Sequence, residues 1–260
     1  MNHFEPNIGA IRPGDCISEA WSLVTSKLGL YIGLGIVAAL LMSCIPIVNL
    51  FLAGPVMGGF FYTVLRDQRG EPVEFGNLFK GFDRFVPLMV IGLILQVPAI
   101  IYQILNLTFD LTRLLMSGAG GSPSYGDIGR SDVPFGSGAI AWPVIALMVG
   151  VWLIMIVWGL LLTFAIPLSI DKGLSVGDAI KGSMNAVMGN IGGVIVLVIL
   201  QGLVAMAGVL VFCVGLLVAM PVAYAATAIA YRQVFPPSSD GPTFSSVPPP
   251  PTEYGFGAGL

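Results

Sequence analysis

The chain has 260 residues, 56% of them apolar and only 10% charged, with a net charge of −3 and a mean hydropathy of +0.91. A soluble domain is typically about a quarter charged, so this composition excludes an ordinary water-solvated surface and assigns much of that surface to lipid. The near-neutral balance, with no dense basic cluster, excludes nucleic acid as a partner. Three scattered cysteines, Cys16, Cys44 and Cys213, and a single His3 provide neither a disulfide framework nor a metal site.

Taken in order, residues 1–12 read as a mobile N-terminus. Met1 to Ser26 carries Glu5, Asp15 and Glu19 and lacks an apolar core, so it does not read as a signal peptide. Ile17, Trp21, Val24 and Leu28 then follow helical spacing. A spanning helix needs about 20 mostly apolar residues. No charge occurs between Lys27 and Arg66, and a break at Ile45–Asn49 divides that stretch into spans near 29–46 and 50–66. Phe75, Phe79, Phe82 and Val86 form a second helically spaced set. After it comes a span near 85–107, bent at Pro98 because proline removes a backbone donor. Asp110 and Arg113, at i and i+3, extend this helix beyond the membrane.

Residues 117–138 hold seven glycines and five serines and read as a flexible outer loop. A long span follows near 141–167. Ser175 and Asp178 then form a capping box opening a third amphipathic stretch, Val176, Ile180, Met184, Val187 and Ile191. Two spans near 190–212 and 215–234 turn around Cys213–Gly215. Residues 236–260 are proline-rich, cannot build a packed core, and read as a disordered tail. Cys44 and Cys213, near the outer ends of two hairpins, are expected to be free and buried.

The expectation is therefore an all-α, polytopic membrane domain over 13–235 with about six spans. Nine lysines and arginines fall on one side of it (Arg12, Lys27, Arg66, Arg69, Lys80, Arg84, Lys172, Lys181 and Arg232) and two, Arg113 and Arg130, on the other. This bias places both termini in the cytoplasm. An internal repeat accompanies it. Gly14-Asp15 and Gly177-Asp178 each precede an apolar hairpin whose second limb runs eleven residues from proline to arginine, Pro55 to Arg66 and Pro221 to Arg232. Phe75 to Lys172 has the same order, which makes three parallel units of interfacial helix plus helical hairpin. The small-residue pairs Gly29/Gly33, Gly54/Gly58, Gly189/Gly193 and Gly215/Ala219 suit close helix packing, within the chain or in a homo-oligomer.

No hydrolase elbow, P-loop or dinucleotide fingerprint occurs, and no ionisable side chain lies inside an expected span. The polar residues there, Gln96 and Gln201 among them, suit hydrogen bonds between helices. The chain therefore reads as a non-enzyme without a cofactor. Its candidate functional residues lie on the cytoplasmic rim: Trp21, Phe75, Phe79, Phe82, Lys80, Arg84, Asp178 and Lys181. Aromatic and basic residues together suit a headgroup layer or a protein partner. Gly14-Asp15…Ala20-Trp21, Phe75-Gly-Asn-Leu-Phe-Lys-Gly-Phe82 and Pro221…Ala230-Tyr231-Arg232 resemble a broad group of uncharacterised bacterial polytopic membrane proteins. That group is similar to the membrane domain of glycerophosphoryl diester phosphodiesterases. The resemblance spans roughly residues 12–235 and implies a bacterial inner-membrane location. It implies no catalytic residue, because the phosphodiesterase domain has no counterpart here. The role expected is structural or accessory, organising lipid or a partner; the alternative is a passive transporter or channel for a small neutral or amphiphilic solute.

Overall fold

A computed structural model describes residues 6–43, 46–118, 138–210 and 215–236. Among these residues every regular element is a helix. In chain order they are α1 (Pro13–Ser26), α2 (Leu28–Ser43), α3 (Pro46–Gln68), a 3-10 helix (Phe75–Arg84), α4 (Phe85–Gly118), α5 (Gly138–Leu161), α6 (Ala165–Lys172), α7 (Val176–Gly189), α8 (Ile191–Leu210) and α9 (Leu216–Val234). The expectations for Cys44 and Cys213, for the side chains of Asp110 and Arg113, for most of the outer loop and for nearly all of the tail fall outside the described residues.

Three segments are long and apolar enough to cross a bilayer: Phe75–Thr108, Val149–Lys172 and Ile191–Leu210. α1 with α2, meeting at 97°, makes a fourth if the bent pair is taken as one span. Only 22%, 22% and 17% of the most apolar windows of these three segments are buried. Ile104, Leu153, Ile154 and Leu203 accordingly point outward, as side chains solvated by lipid do.

Helices α3 and α9 are not among the apolar segments, and their position explains why. Both lie in the middle of the bundle, with α2, α4, α6 and the 3-10 helix against α3, and α1, α2 and α8 against α9. Lipid does not drive apolar helices together, so membrane helices associate through close packing of small residues. Helix α9 buries Ala219, Ala225, Ala226, Ala228 and Ala230. In α3, a side chain at Gly54 would meet the Leu88 carbonyl of α4, and one at Gly59 would meet the backbone of Leu78. Small residues permit this approach and lower the hydropathy at the same time. Gly208 sits likewise against Gly215 and Ala219, whereas Gly29 faces open space.

The amides within the bundle bond between helices. Gln96 Nε2 donates to the Leu50 carbonyl at 3.2 Å, and Gln201 Nε2 to the Ala223 carbonyl at 2.8 Å and to Thr227 Oγ1 at 2.9 Å. Trp158 Nε1 donates to the Ile94 carbonyl at 2.9 Å, tying α5 to α4.

The span expected near 141–167 is interrupted by a turn at residues 162–164, which separates α5 from α6. Ser183 of α7 satisfies the break: its Oγ donates to the Leu161 carbonyl at 2.8 Å and accepts from the Phe164 N–H at 3.1 Å. Ser183 is fully buried, so Ser183→Ala leaves both backbone groups unpaired. We expect a loss of about 1–3 kcal/mol, read as a lower unfolding midpoint in detergent; an unchanged midpoint would contradict this role.

The residues before α1 are held against the bundle. The Asn7 N–H donates to the Val234 carbonyl at 3.0 Å, the Ala10 N–H to Asn190 Oδ1 at 2.9 Å, and the Arg12 N–H to Gln233 Oε1 at 2.8 Å. Ile11 is buried.

Candidate functional site

The three amphipathic stretches share one construction. Each buries mainly small residues against the bundle and leaves several large apolar ones exposed. Helix α1 buries Cys16, Ala20 and Val24 against α8 and α9 and leaves Trp21 53% exposed. Of the expected stripe Ile17, Trp21, Val24 and Leu28, the buried line shares only Val24; Cys16 and Ala20 take the places of Ile17 and Trp21. The 3-10 helix buries Asn77, Leu78 and Gly81 and leaves Phe75 and Phe79 each 52% exposed. With three residues per turn, Leu78 and Gly81 stack on one line, and that line lies against α3. Helix α7 buries Ala179, Ser183, Ala186 and Val187, with Met184 and Met188 outward. Of the expected stripes, Trp21, Leu28, Phe75, Phe79, Val86, Met184 and Ile191 are exposed, whereas Val24 and Val187 are buried and Ile17, Phe82, Val176 and Ile180 pack against the core.

The eight candidate rim residues fall into different roles. The rings of Phe79 and Phe82 lie 6.0 Å apart and those of Phe82 and Phe85 6.2 Å apart, forming an aromatic row. Lys80 pairs with exposed Asp83 at 3.3 Å. Arg84 is occupied structurally, its guanidinium donating to the carbonyls of Ser169 at 2.6 Å and Gly173 at 2.8 Å. Gly173 ends α6 with φ 67°, a left-handed conformation that glycine adopts without strain. Ser175 caps the helix as expected, its Oγ accepting from the Asp178 N–H at 3.3 Å, and its hydroxyl donates to the Asp178 carboxylate at 2.7 Å. Lys181 is exposed, and Trp21 stands on α1, a helix docked to different neighbours. The eight do not converge on one point.

A second group of side chains does converge. Asp67, at the end of α3, is 6% exposed. It accepts from Lys27 Nζ at 2.5 Å and from the Tyr31 hydroxyl at 2.7 Å. Asp171, at the end of α6, is 5% exposed and accepts from Arg69 Nη2 at 2.5 Å and the Tyr231 hydroxyl at 2.8 Å. Arg232 Nη2 lies 3.5 Å from the same carboxylate. Arg69 also approaches Glu71 at 3.6 Å, and Arg66 Nε donates to Glu71 at 2.7 Å. These bonds tie the ends of α3, α6 and α9 to the α1–α2 junction.

Above them opens a cleft of about 790 Å³ lined by Glu19, Ser22, Ser26, Lys27, Asp67, Gln68, Arg69, Arg232 and Gln233, with Leu23 and Ile229. Two polar atoms of these residues, Gln68 Oε1 and Arg232 Nη2, are buried without a hydrogen-bond partner.

Sequence reasoning used Lys27 and Arg69 to set orientation and Arg232 also to close the repeat, and it gave none of these, nor Asp67, Asp171, Tyr31 or Tyr231, a place in a site. The signals present are a carboxylate beside the basic residue that closes a unit, in Arg66-Asp67 and Asp171-Lys172, and tyrosines in otherwise apolar helices close to Lys27 and Arg232.

Cys16 lies behind this end of the bundle, fully buried and free. Burial, with the nearby charges of Glu19 and Asp15, pushes its thiol up to about 12. The thiolate is the reactive form, so in a Cys44→Ala, Cys213→Ala background we expect no maleimide labelling at pH 8 until the protein is denatured. Rapid labelling of the folded protein would contradict the burial. Set beside family models, curated proteins and solved structures, the chain matches none of them.

Proposed function

We propose that this is a non-catalytic integral membrane protein of structural or accessory role, which seats three short helices in the headgroup layer and organises lipid around a six-span bundle. The observation that carries this reading is the shared construction of those helices, with small residues inward and Trp21, Phe75, Phe79, Met184 and Met188 outward. In water such a surface is unfavourable, whereas in the interfacial layer large apolar and aromatic residues are stabilised. The 97° bend between α1 and α2 suits a helix lying in the membrane plane beside one that crosses it.

Six crossings are supported by the polar contacts at one end. Lys27, at the start of α2, meets Asp67 at the end of α3. Arg84, at the start of α4, meets the end of α6. Asn190, at the start of α8, bonds the segment 7–10 that also binds the end of α9. Each outward helix is thus paired with a return. The repeat of the first and last units is supported by the matched ends of α1 and α7, both 14 residues long. Lys27 closes α1 at φ −130°, ψ 45° and Asn190 closes α7 at φ −131°, ψ 26°. The lysine and arginine bias puts this end in the cytoplasm, and the sequence resemblance argues for a bacterial inner membrane.

The alternative, passive transport of a small solute, draws on the 790 Å³ cleft. The filled interior, where Leu34, Val56, Leu88 and Ile91 are fully buried, favours the structural role. Nitroxide labels on Trp21→Cys, Phe79→Cys and Met188→Cys in lipid vesicles test the reading. All three are expected to sit at headgroup depth, more accessible to oxygen than to a water-soluble nickel complex. Full accessibility to nickel at all three would overturn it.

A further inference from the structure

The segment before α1 is fastened to helices far from it in sequence. Asn190, at the junction of α7 and α8, holds it twice, accepting from the Ala10 N–H at 2.9 Å and donating to the Asn7 carbonyl at 2.9 Å. Near the end of α9, Gln233 Oε1 accepts from the Arg12 N–H at 2.8 Å, and the Val234 carbonyl accepts from the Asn7 N–H. Gly9, at φ 68°, turns the segment between these contacts. Ile11 is buried and seats on Gly193, where a Cβ would come within 2.8 Å of the Ile11 Cβ. Helix α1 then lies on α8 and α9 more than on α2, from which Lys27 and a 97° bend separate it. Its docking is light. The side chains it buries fully are Cys16, Ala20 and Val24. Among the described residues, the hydroxyls of Ser18, Thr25 and Ser26 donate to carbonyls of α1 itself.

From this arrangement we propose that α1 is a lid over the cleft, hinged at Lys27 and latched by residues 7–12. Glu19, Ser22, Leu23 and Ser26 of α1 form one wall of the cleft, and α9 with the end of α3 forms the other. The cleft therefore widens as α1 swings away. Hinges are a few element-terminal residues that absorb the change in backbone angle, and Lys27 is such a residue, tied to Asp67 at the end of α3. The latch is made chiefly of main-chain groups meeting two side chains, Asn190 and Gln233, with Ile11 as its buried apolar anchor. Segments with few buried apolar contacts are the ones that open locally while the rest stays folded. Gln233 belongs to both the latch and the cleft wall, so release at Arg12 is felt in the cleft directly. Opening uncovers Cys16 and the faces of α8 and α9 on which α1 rests. This motion is independent of how many helices cross the membrane.

Gly193→Ala tests the latch. The atoms nearest the added Cβ all belong to Ile11, so the substitution pushes the latch out and leaves the helices in place. Gly192→Ala, whose Cβ faces open space, is the control. Cys16 is the reporter. In full-length protein purified in detergent and carrying Cys44→Ala and Cys213→Ala, its reaction with maleimide at pH 8 is followed over urea concentrations below the unfolding midpoint. Wild type and Gly192→Ala are expected to remain essentially unlabelled, and Gly193→Ala to react about tenfold or more faster. Its rate should change little with urea, because local opening exposes little surface. Should Gly193→Ala fail to fold, Asn190→Ala decides, since it removes both bonds of that side chain to the latch; the same gain is expected. Folded Gly193→Ala and Asn190→Ala proteins that label no faster than wild type overturn the proposal. So does labelling that appears only with the steep urea dependence of global unfolding.

Discussion

Gly81→Ala is expected to destabilise the bundle by about 3 kcal/mol or more. A Cβ at position 81 would fall onto the Pro55 carbonyl and within 2.5 Å of the Gly59 nitrogen. Both are backbone atoms of the buried helix α3, and no side-chain rotation relieves the contact. Overpacking a core typically costs about 1–3 kcal/mol, and an obstacle made of backbone puts this substitution at or above the top of that range. The whole 3-10 helix would have to withdraw from α3, taking with it Leu78, which is fully buried. Gly76→Ala is the control, because it lies in the same helix and faces open space. It is expected to stay within about 1 kcal/mol of wild type. Unfolding in mixed micelles measures both, and a Gly81→Ala protein as stable as the Gly76→Ala protein would contradict the close approach.

The second large effect is expected at Asp171. Its carboxylate receives Arg69, Arg232 and the Tyr231 hydroxyl. Removing one partner of a buried ion pair costs about 3–5 kcal/mol because the remaining charge is left uncompensated. Most of that cost falls on Arg232, whose side chain is 13% exposed; Arg69, at 41%, recovers solvent. Asp171→Ala is therefore expected to lower stability by about 3 kcal/mol, and Asp171→Asn by less, since its amide oxygen still accepts a hydrogen bond. Pairing Asp171→Ala with Arg232→Met should restore much of the loss by removing the orphaned charge. An Asp171→Ala protein within about 1 kcal/mol of wild type would show that the cluster does not hold the helix ends together.

Much of this fold is legible in residue patterns. Charge-free runs mark α2, α4, α8 and α9, and Ser175 with Asp178 marks the start of α7. What the patterns miss follows from packing. Hydropathy measures a helix against lipid, so it recovers α4, α5 and α8, whose side chains face outward. It underrates α3 and α9, whose neighbours are other helices and whose closest approaches are made at glycine and alanine. The break between α5 and α6 is invisible in an apolar run because the serine that satisfies it, Ser183, lies some twenty residues away. Helical spacing identifies the three short amphipathic helices but not which face each buries. The helices dock through residues such as Ala20, Gly81 and Ala186, which no stripe of large apolar residues marks. The charged cluster escapes for a related reason. Asp67 and Asp171 are 104 positions apart in sequence, and only the return of α3 and α6 to one end brings them under the same cleft.

Reporter fusions placed at Glu71, Tyr125 and Gly173 and after Leu260 test the six-span account most directly. With six crossings, Glu71, Gly173 and the C-terminus share the cytoplasm and Tyr125 lies on the opposite side. If only the three most apolar segments cross, Gly173 and the C-terminus fall on opposite sides, because α8 then leaves without α9 returning. A reporter after Leu260 found in the same compartment as Gly173, with Tyr125 opposite, is the result expected. A reporter after Leu260 that shares its compartment with Tyr125 would contradict the account.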